Sequence, residues 1–214
     1  MRRSARTLAG LFLLTLVVAA CGRGERTLGT PDATPAESAA QSRPERTSRP
    51  RLGIANLGVA VFGDTPERAV EELTSALGDP DEDTGWIESF SEFGTCPGER
   101  IRVVRWQQLR AYFTDGKTDY GEKGTRHLFM WDYGPRVATG RLDLETDEGL
   151  TAGSTVAEVK EAYGEDALVD DEMFGPRFQV SGPTEAGVLT GSLTSVSDDG
   201  RVEYLAYGAP LCGE

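Results

Sequence analysis

The first fifty residues decide how much of this chain is free to fold. An apolar run from Leu8 to Val18, interrupted by Gly10 and Thr15, follows a basic start with Arg2, Arg3 and Arg6 and leads into Ala19, Ala20 and Cys21. A helix crossing the bilayer core needs about 20 apolar residues, and this run is shorter, so the layout reads as a secretory signal rather than a membrane span. Gly22 to Pro50 then scatters Pro31, Pro35, Pro44 and Pro50 among Arg, Thr, Ser and Ala, with Leu28 as its one large apolar residue. Such a segment buries too little apolar surface to offset the entropy of ordering it, so it is expected to be a disordered tether. A flexible tether of this length has an r.m.s. reach of about 30 Å. Residues 51–214 remain to build a globular structure, which is the size of one domain or of two small fused ones.

Val18-Ala19-Ala20-Cys21 has the pattern of a bacterial lipobox. Cleavage before Cys21 and acylation of its thiol would leave a lipid-anchored protein facing the extracytoplasmic side of the cell membrane, and two or three acyl chains suffice for stable attachment. An uncleaved anchor or a plain signal cut near Ala20 is the alternative. An extracytoplasmic location is oxidising, and Cys96 and Cys212 are the two remaining cysteines. They are expected to form a disulfide, which chain-entropy bookkeeping values at about 4–5 kcal/mol at most for so long a loop. A catalytic cysteine is the other possibility, but His127 is the single histidine of the chain.

Charge narrows the function classes. Eight of the 22 basic residues and four of the 35 acidic ones precede Arg51, leaving 14 against 31 and a net charge near −17 in the folded part. That field repels nucleic acid and anionic headgroups, so no nucleic-acid partner is expected.

Two stretches read as helices with the same entry. Gly63-Asp-Thr-Pro-Glu-Arg-Ala-Val-Glu-Glu-Leu places Thr65 as N-cap and Pro66 at the first helical position, with Ala69, Val70, Leu73, Ala76 and Leu77 on one face and Gly78 as the stop. Gly153-Ser-Thr-Val-Ala-Glu-Val-Lys-Glu-Ala-Tyr places Thr155 and Glu158 as a capping box, with Val156, Val159, Ala162 and Tyr163 on the face and Gly164 as the stop. Strand-like runs follow each: Ile101 to Trp106, Leu109 to Thr114 and His127 to Tyr133, then Arg177 to Ser181, Gly187 to Thr194 and Val202 to Tyr207. Asp199-Gly200 is a hairpin-turn signal, through a glycine at positive φ. The expected fold is therefore α+β, with two tandem helix-then-antiparallel-meander repeats, 51–140 and 141–214, forming a two-layer domain behind a signal peptide (1–20) and a lipidated tether (21–50).

The Gly-x-Thr-x-x-Glu-Val helix start ending in Gly resembles the helical motif of SmpA/OmlA and β-lactamase-inhibitory-protein modules. Leu57 to Cys212 is also similar to a family of actinobacterial secreted and lipid-anchored proteins without an assigned activity. The residues that carry this likeness are Gly63 to Pro80, Trp86, Cys96-Pro97-Gly98, Arg102 to Trp106, Phe113 to Gly116, Gly149 to Gly164 and Cys212, and the 3 Lys against 19 Arg suit a GC-rich source. The resemblance implies a duplicated helix-plus-sheet scaffold and no particular chemistry.

Recognisable catalytic motifs are missing: no Gly-x-Ser-x-Gly, Ser-x-x-Lys, Walker loop, His-Glu-x-x-His or Cys-x-x-Cys occurs. His127 opens an apolar strand and is expected to be structural. Asp79, Asp81 and Asp83 alternate as calcium ligands would, but an EF-hand pattern needs Gly and Glu where Thr84 and Phe90 stand, so a solvated acidic loop competes with a metal site. Trp86, Phe90 and Phe93 precede Cys96 in loop-like sequence, and serve either as interface anchors or as cover for the edge of the core. Together these readings predict a non-catalytic binding or interaction module at the cell envelope, without cofactor, joined to the membrane through Cys21 and binding an envelope protein or component. The alternative is a small-ligand or ion-binding lipoprotein with a cleft between the two repeats.

Overall fold

The computed structural model describes residues 50–134, 142–171, 173–182, 187–208 and 212. The signal, Cys21 and the tether up to residue 49 lie outside them. The described residues all fall within one compact unit.

Three two-residue strands, β1 (Leu52–Gly53), β2 (Asn56–Leu57) and β3 (Ala60–Val61), form a small sheet ahead of helix α1 (Pro66–Leu77). Strands β4 (Glu82–Asp83), β5 (Ile87–Ser91), β6 (Gly94–Trp106), β7 (Leu109–Thr114) and β8 (His127–Tyr133) follow. Helix α2 (Val156–Tyr163) and a short 3-10 turn (Glu165–Ala167) precede β9 (Leu168–Asp171), β10 (Gly175–Ser181), β11 (Val188–Leu193) and β12 (Val202–Gly208). All nine strands from β4 onward join one antiparallel sheet of order β4-β6-β7-β8-β12-β11-β10-β9, with β5 also paired to β6.

Both helices start and stop as their sequences dictate. Thr65 accepts a hydrogen bond from Arg68 N, Pro66 occupies the first turn, and Gly78 ends α1 at φ 90° while donating its N–H to Thr74 O. Thr155 and Glu158 close a capping box on α2, and Gly164 donates to Lys160 O. Ala69, Leu73, Val156 and Val159 are buried, whereas Ala76 is exposed. The helices and the small sheet cover one face of the large sheet, over a core that includes Trp106, Phe113, Trp131, Phe178 and Tyr207. Indole hydrogen bonds lock these layers together: Trp106 Nε1 donates to Gly78 O and Trp131 Nε1 to Gly53 O, each at 3.0 Å.

The expectation of an α+β fold made of two tandem helix-then-meander repeats is corrected by this architecture. The described residues are mainly β, with two α-helices of 12 and 8 residues against one large continuous sheet. The sheet runs unbroken where β12 pairs with β8, through Leu205↔Tyr133, Ala206↔Asp132 and Tyr207↔Trp131. One core cluster draws side chains from Leu52 to Tyr207. The sequence reading missed the strands at the margins because Glu82–Asp83, Ile87–Ser91 and Leu168–Asp171 are short, polar or weakly alternating, and pair only because β6 and β10 present them with a ladder. Asp199-Gly200 does lie in the turn joining the antiparallel β11 and β12, but the glycine serves a different purpose from the one expected. Gly200 is absent from the positive-φ residues, and its missing side chain instead makes room for Ser195 O, which a Cβ would approach to 2.5 Å.

Candidate functional site

The opposite face of the sheet is where the strands do something their pattern did not announce. Phe93 lies at the β5–β6 turn, and Tyr112 is registered opposite Val103, ten residues further along β6. A straight strand would separate those points by about 33 Å at 3.3 Å per residue. The Phe93 and Tyr112 rings are instead 6.0 Å apart, edge to face. The hairpin tip is therefore folded back over the sheet, and the bend falls at Pro97-Gly98. Gly98 adopts φ +88°, and a Cβ there would sit 2.4 Å from Gly116 N. Thr114 Oγ1 donates to Pro97 O, and Asp115 accepts the N–H groups of Glu99 and Arg100, which fixes the bend against the end of β7. Cys96, in the folded arm, is joined by a disulfide to Cys212, and both pack with Ile101, Val103, Tyr112 and Phe129 in a second, smaller core.

Beneath this arm the sheet carries a buried charge. Asp132 on β8 is fully buried, and it accepts from Arg110 Nε at 2.8 Å and from the Tyr112 hydroxyl at 2.5 Å. Tyr204 on β12 also hydrogen-bonds to it. Burial pushes the Asp132 carboxyl up from its ordinary value, against the opposing pull of Arg110 and the two tyrosine hydroxyls. Burial disfavours the Arg110 charge, but Asp132 outweighs that and holds the guanidinium protonated. For Tyr112 and Tyr204, burial and then the adjacent Asp132 charge push the phenols above the ordinary tyrosine range. Arg110 also lies over the rings of Phe93 and Tyr112, at 6.0 and 5.8 Å from their centroids.

Arg110 has a like-charged neighbour. It is directly opposite Arg105 across the β6–β7 ladder, and Arg105 is in turn opposite Glu82 on β4, with Arg105 Nε donating to Glu82 at 3.0 Å. The row across the sheet thus reads Glu82, Arg105, Arg110, Asp132. The two arginine side chains, 35% and 31% exposed, line a depression of about 270 Å³. Thr84 and Val103 share the floor, and Glu92 and Phe93 in the folded tip make the wall.

The residues singled out from sequence are placed differently from one another. Of the aromatic trio, Phe93 walls the depression, Phe90 projects with 78% of its surface exposed, and Trp86 packs partly into the helix-side core with Arg126 4.5 Å over its ring. The three do not form one patch. Asp83 is gripped by both Arg102 Nε and Nη2, and this pair holds its carboxyl below the usual range. Asp81 accepts from Gln107 N and lies 3.9 Å from Arg105. Asp79 is exposed, and among the described residues no three acidic, histidine or cysteine side chains gather as a metal site would require. His127 is fully buried, with Nδ1 2.6 Å from Thr125 O and Nε2 2.7 Å from Thr118 Oγ1. A carbonyl accepts only, so Nδ1 donates to Thr125 O, and with both ring nitrogens engaged this is the hydrogen bonding of a structural imidazole. Cys21 lies outside the described residues, and among those residues no helix is long and apolar enough to cross a membrane.

Sequence reasoning missed Arg105, Arg110, Asp132, Tyr112 and Tyr204. One signal was available, an ionisable Asp132 inside the apolar run His127 to Tyr133. Its partners come from β7 and β12, and only the register identifies them. Comparison with protein-family models, with curated proteins and with solved structures finds no match for this chain.

Proposed function

We propose that this protein is a non-catalytic binding module, held at the extracytoplasmic face of the cell membrane by a lipid on Cys21, that engages an envelope protein through the open face of its sheet. The supporting observation is the folded-back β5–β6 tip. It raises a wall of Glu92 and Phe93 beside Arg105 and Arg110, and presents Phe90 to solvent next to it. Aromatic and arginine side chains anchor protein interfaces more than other types do. A depression of about 270 Å³ is also below the range of roughly 300–1,000 Å³ in which small-molecule sites bury their ligands, which favours contact with a larger partner.

Photo-crosslinking in intact cells tests the reading. A photoreactive amino acid replacing Phe90 is expected to trap a partner protein, while the same group replacing Glu71, exposed on α1, is not. No product at position 90, or equal products at both, would overturn the assignment of the face. The anchor is tested separately: the Cys21→Ser protein is expected to lose palmitate labelling and leave the membrane fraction, and retention of both refutes lipidation.

A further inference from the structure

Resting on that reading of the face, we infer that Arg105 and Arg110 form a recognition site for a peptide carboxylate carried beside an apolar side chain of the partner. The argument begins with a cost. Like charges directly opposite each other across an antiparallel ladder destabilise the pair, and their Cβ atoms are about 4.5–5.5 Å apart. Each arginine is therefore held from its outer side, Arg105 by Glu82 and Arg110 by Asp132, through Nε in both cases. This leaves two terminal guanidinium edges adjacent in the middle of the row. Arg105 Nη1 reaches Gln107 O at 3.3 Å, and Arg110 shares a hydrogen bond with Tyr204. Among the described residues, Arg105 keeps Nη2 for a ligand and Arg110 keeps part of its fork.

A single carboxylate between them would relieve the repulsion and accept from both forks, the pairing for which guanidinium geometry is best suited. Charge decides among anions. Asp81 and Glu82 beside Arg105, Glu92 in the wall and Asp132 beneath Arg110 already outnumber the two arginines, so the spare guanidinium donors favour a singly charged carboxylate over phosphate, which carries more charge. Phe93 and Val103 supply the apolar contact, and the small volume admits about one residue of a peptide rather than a whole ligand.

Nitrogen-15 NMR of the arginine side chains in the full chain tests this with N-acetyl-phenylalanine as probe. A probe of this size is expected to bind with a Kd on the order of 1 mM and to shift the guanidinium resonances of Arg105 and Arg110. N-acetyl-phenylalaninamide and inorganic phosphate at the same concentration are expected to bind at least tenfold more weakly. Arg105→Gln, whose native side chain is part-exposed and whose loss leaves Asp132 paired, is expected to weaken the probe at least tenfold. Glu82→Gln, which removes a flanking acid, is expected to tighten it. Equal response to acid and amide, phosphate binding as strong as the acid, or an unchanged Kd in Arg105→Gln would each overturn the inference. Crosslinking at position 90 that persists undiminished in Arg105→Gln would overturn the carboxylate site alone, whereas no crosslinking in the unmodified background would overturn the interaction face itself.

Discussion

Replacing Arg110 by Met tests the energetics of the open face most directly. Asp132 is fully buried and Arg110 is its only cationic partner among the described residues. Removing one member of a buried ion pair leaves an uncompensated charge and costs about 3–5 kcal/mol. The tyrosine hydroxyls of Tyr112 and Tyr204 stay in place, so the lower end of that range is expected. Replacing both members, as Arg110→Met with Asp132→Leu, removes the stranded charge, and the double variant is expected to be more stable than Arg110→Met alone. The pH dependence carries the sign. With Arg110 gone, burial acts with less opposition and raises the folded-state pKa of Asp132, already above the unfolded value of about 3.9, further still. A raised folded pKa contributes stability that is fully present below the unfolded pKa and is lost as pH rises through the folded one. The deficit of Arg110→Met relative to the unmodified protein should therefore be large at about pH 7 and shrink as pH falls toward about 4. Urea unfolding across that range measures it, with the midpoint read at constant m-value. A loss below about 1 kcal/mol at neutral pH, or a deficit independent of pH, would refute the view that Asp132 is an ionised group depending on Arg110.

Three further outcomes follow from other parts of the molecule. Tyr112 and Tyr204 have folded-state pKa values raised above the free phenol by burial, so their stabilising effect is complete below about pH 10 and lost at higher pH; tyrosinate absorbance should show them ionising together with alkaline unfolding, and independent ionisation of the folded protein would count against their burial. Cys96→Ser with Cys212→Ser opens a bridge spanning 116 residues and is expected to lower stability by up to about 4–5 kcal/mol, checked by chemical denaturation with the Tyr112 signal as a local probe. Gly98→Ala must accept φ +88° and a clash with Gly116 N, so a loss of at least about 2 kcal/mol is expected in the same assay, and a near-neutral effect would show that the strand does not bend there.

What could be seen in the sequence was what depends on neighbours a few residues away. Thr65, Pro66 and Gly78, or Thr155, Glu158 and Gly164, encode their helix ends within one turn of chain, and the structure reproduces both. The Cys96–Cys212 bridge was legible by elimination once a compartment was assumed. The assembly of the sheet was not. Two similar helix starts suggested two repeating units, but a strand takes its meaning from the ladder it joins, and the pairing of β8 with β12 makes one sheet. The site was hidden for the same reason. Arg105 and Arg110 are unremarkable charges in alternating strands until register sets them opposite each other, and Phe93 looks like a loop aromatic until Pro97-Gly98 bends it over Tyr112. The bend depends on a glycine whose lack of a Cβ matters only because Gly116, on another segment, comes so close.

The margins of the large sheet carry a consequence for its behaviour in concentrated solution. One outer boundary is formed by Glu82–Asp83 and by β5 with Glu88 exposed, and the other by β9, where Asp170 is exposed. A strand margin is normally an invitation to add a further strand from another molecule, and charged side chains are one way of refusing it. Glu82 and Asp83 are paired with Arg105 and Arg102, so it is Glu88 and Asp170 that bring carboxylate against carboxylate when two molecules meet margin to margin, and their repulsion opposes polymerisation of the sheet. That refusal has a salt limit: as ionic strength rises the repulsion between exposed charges is screened, and light scattering should rise while the helices stay folded.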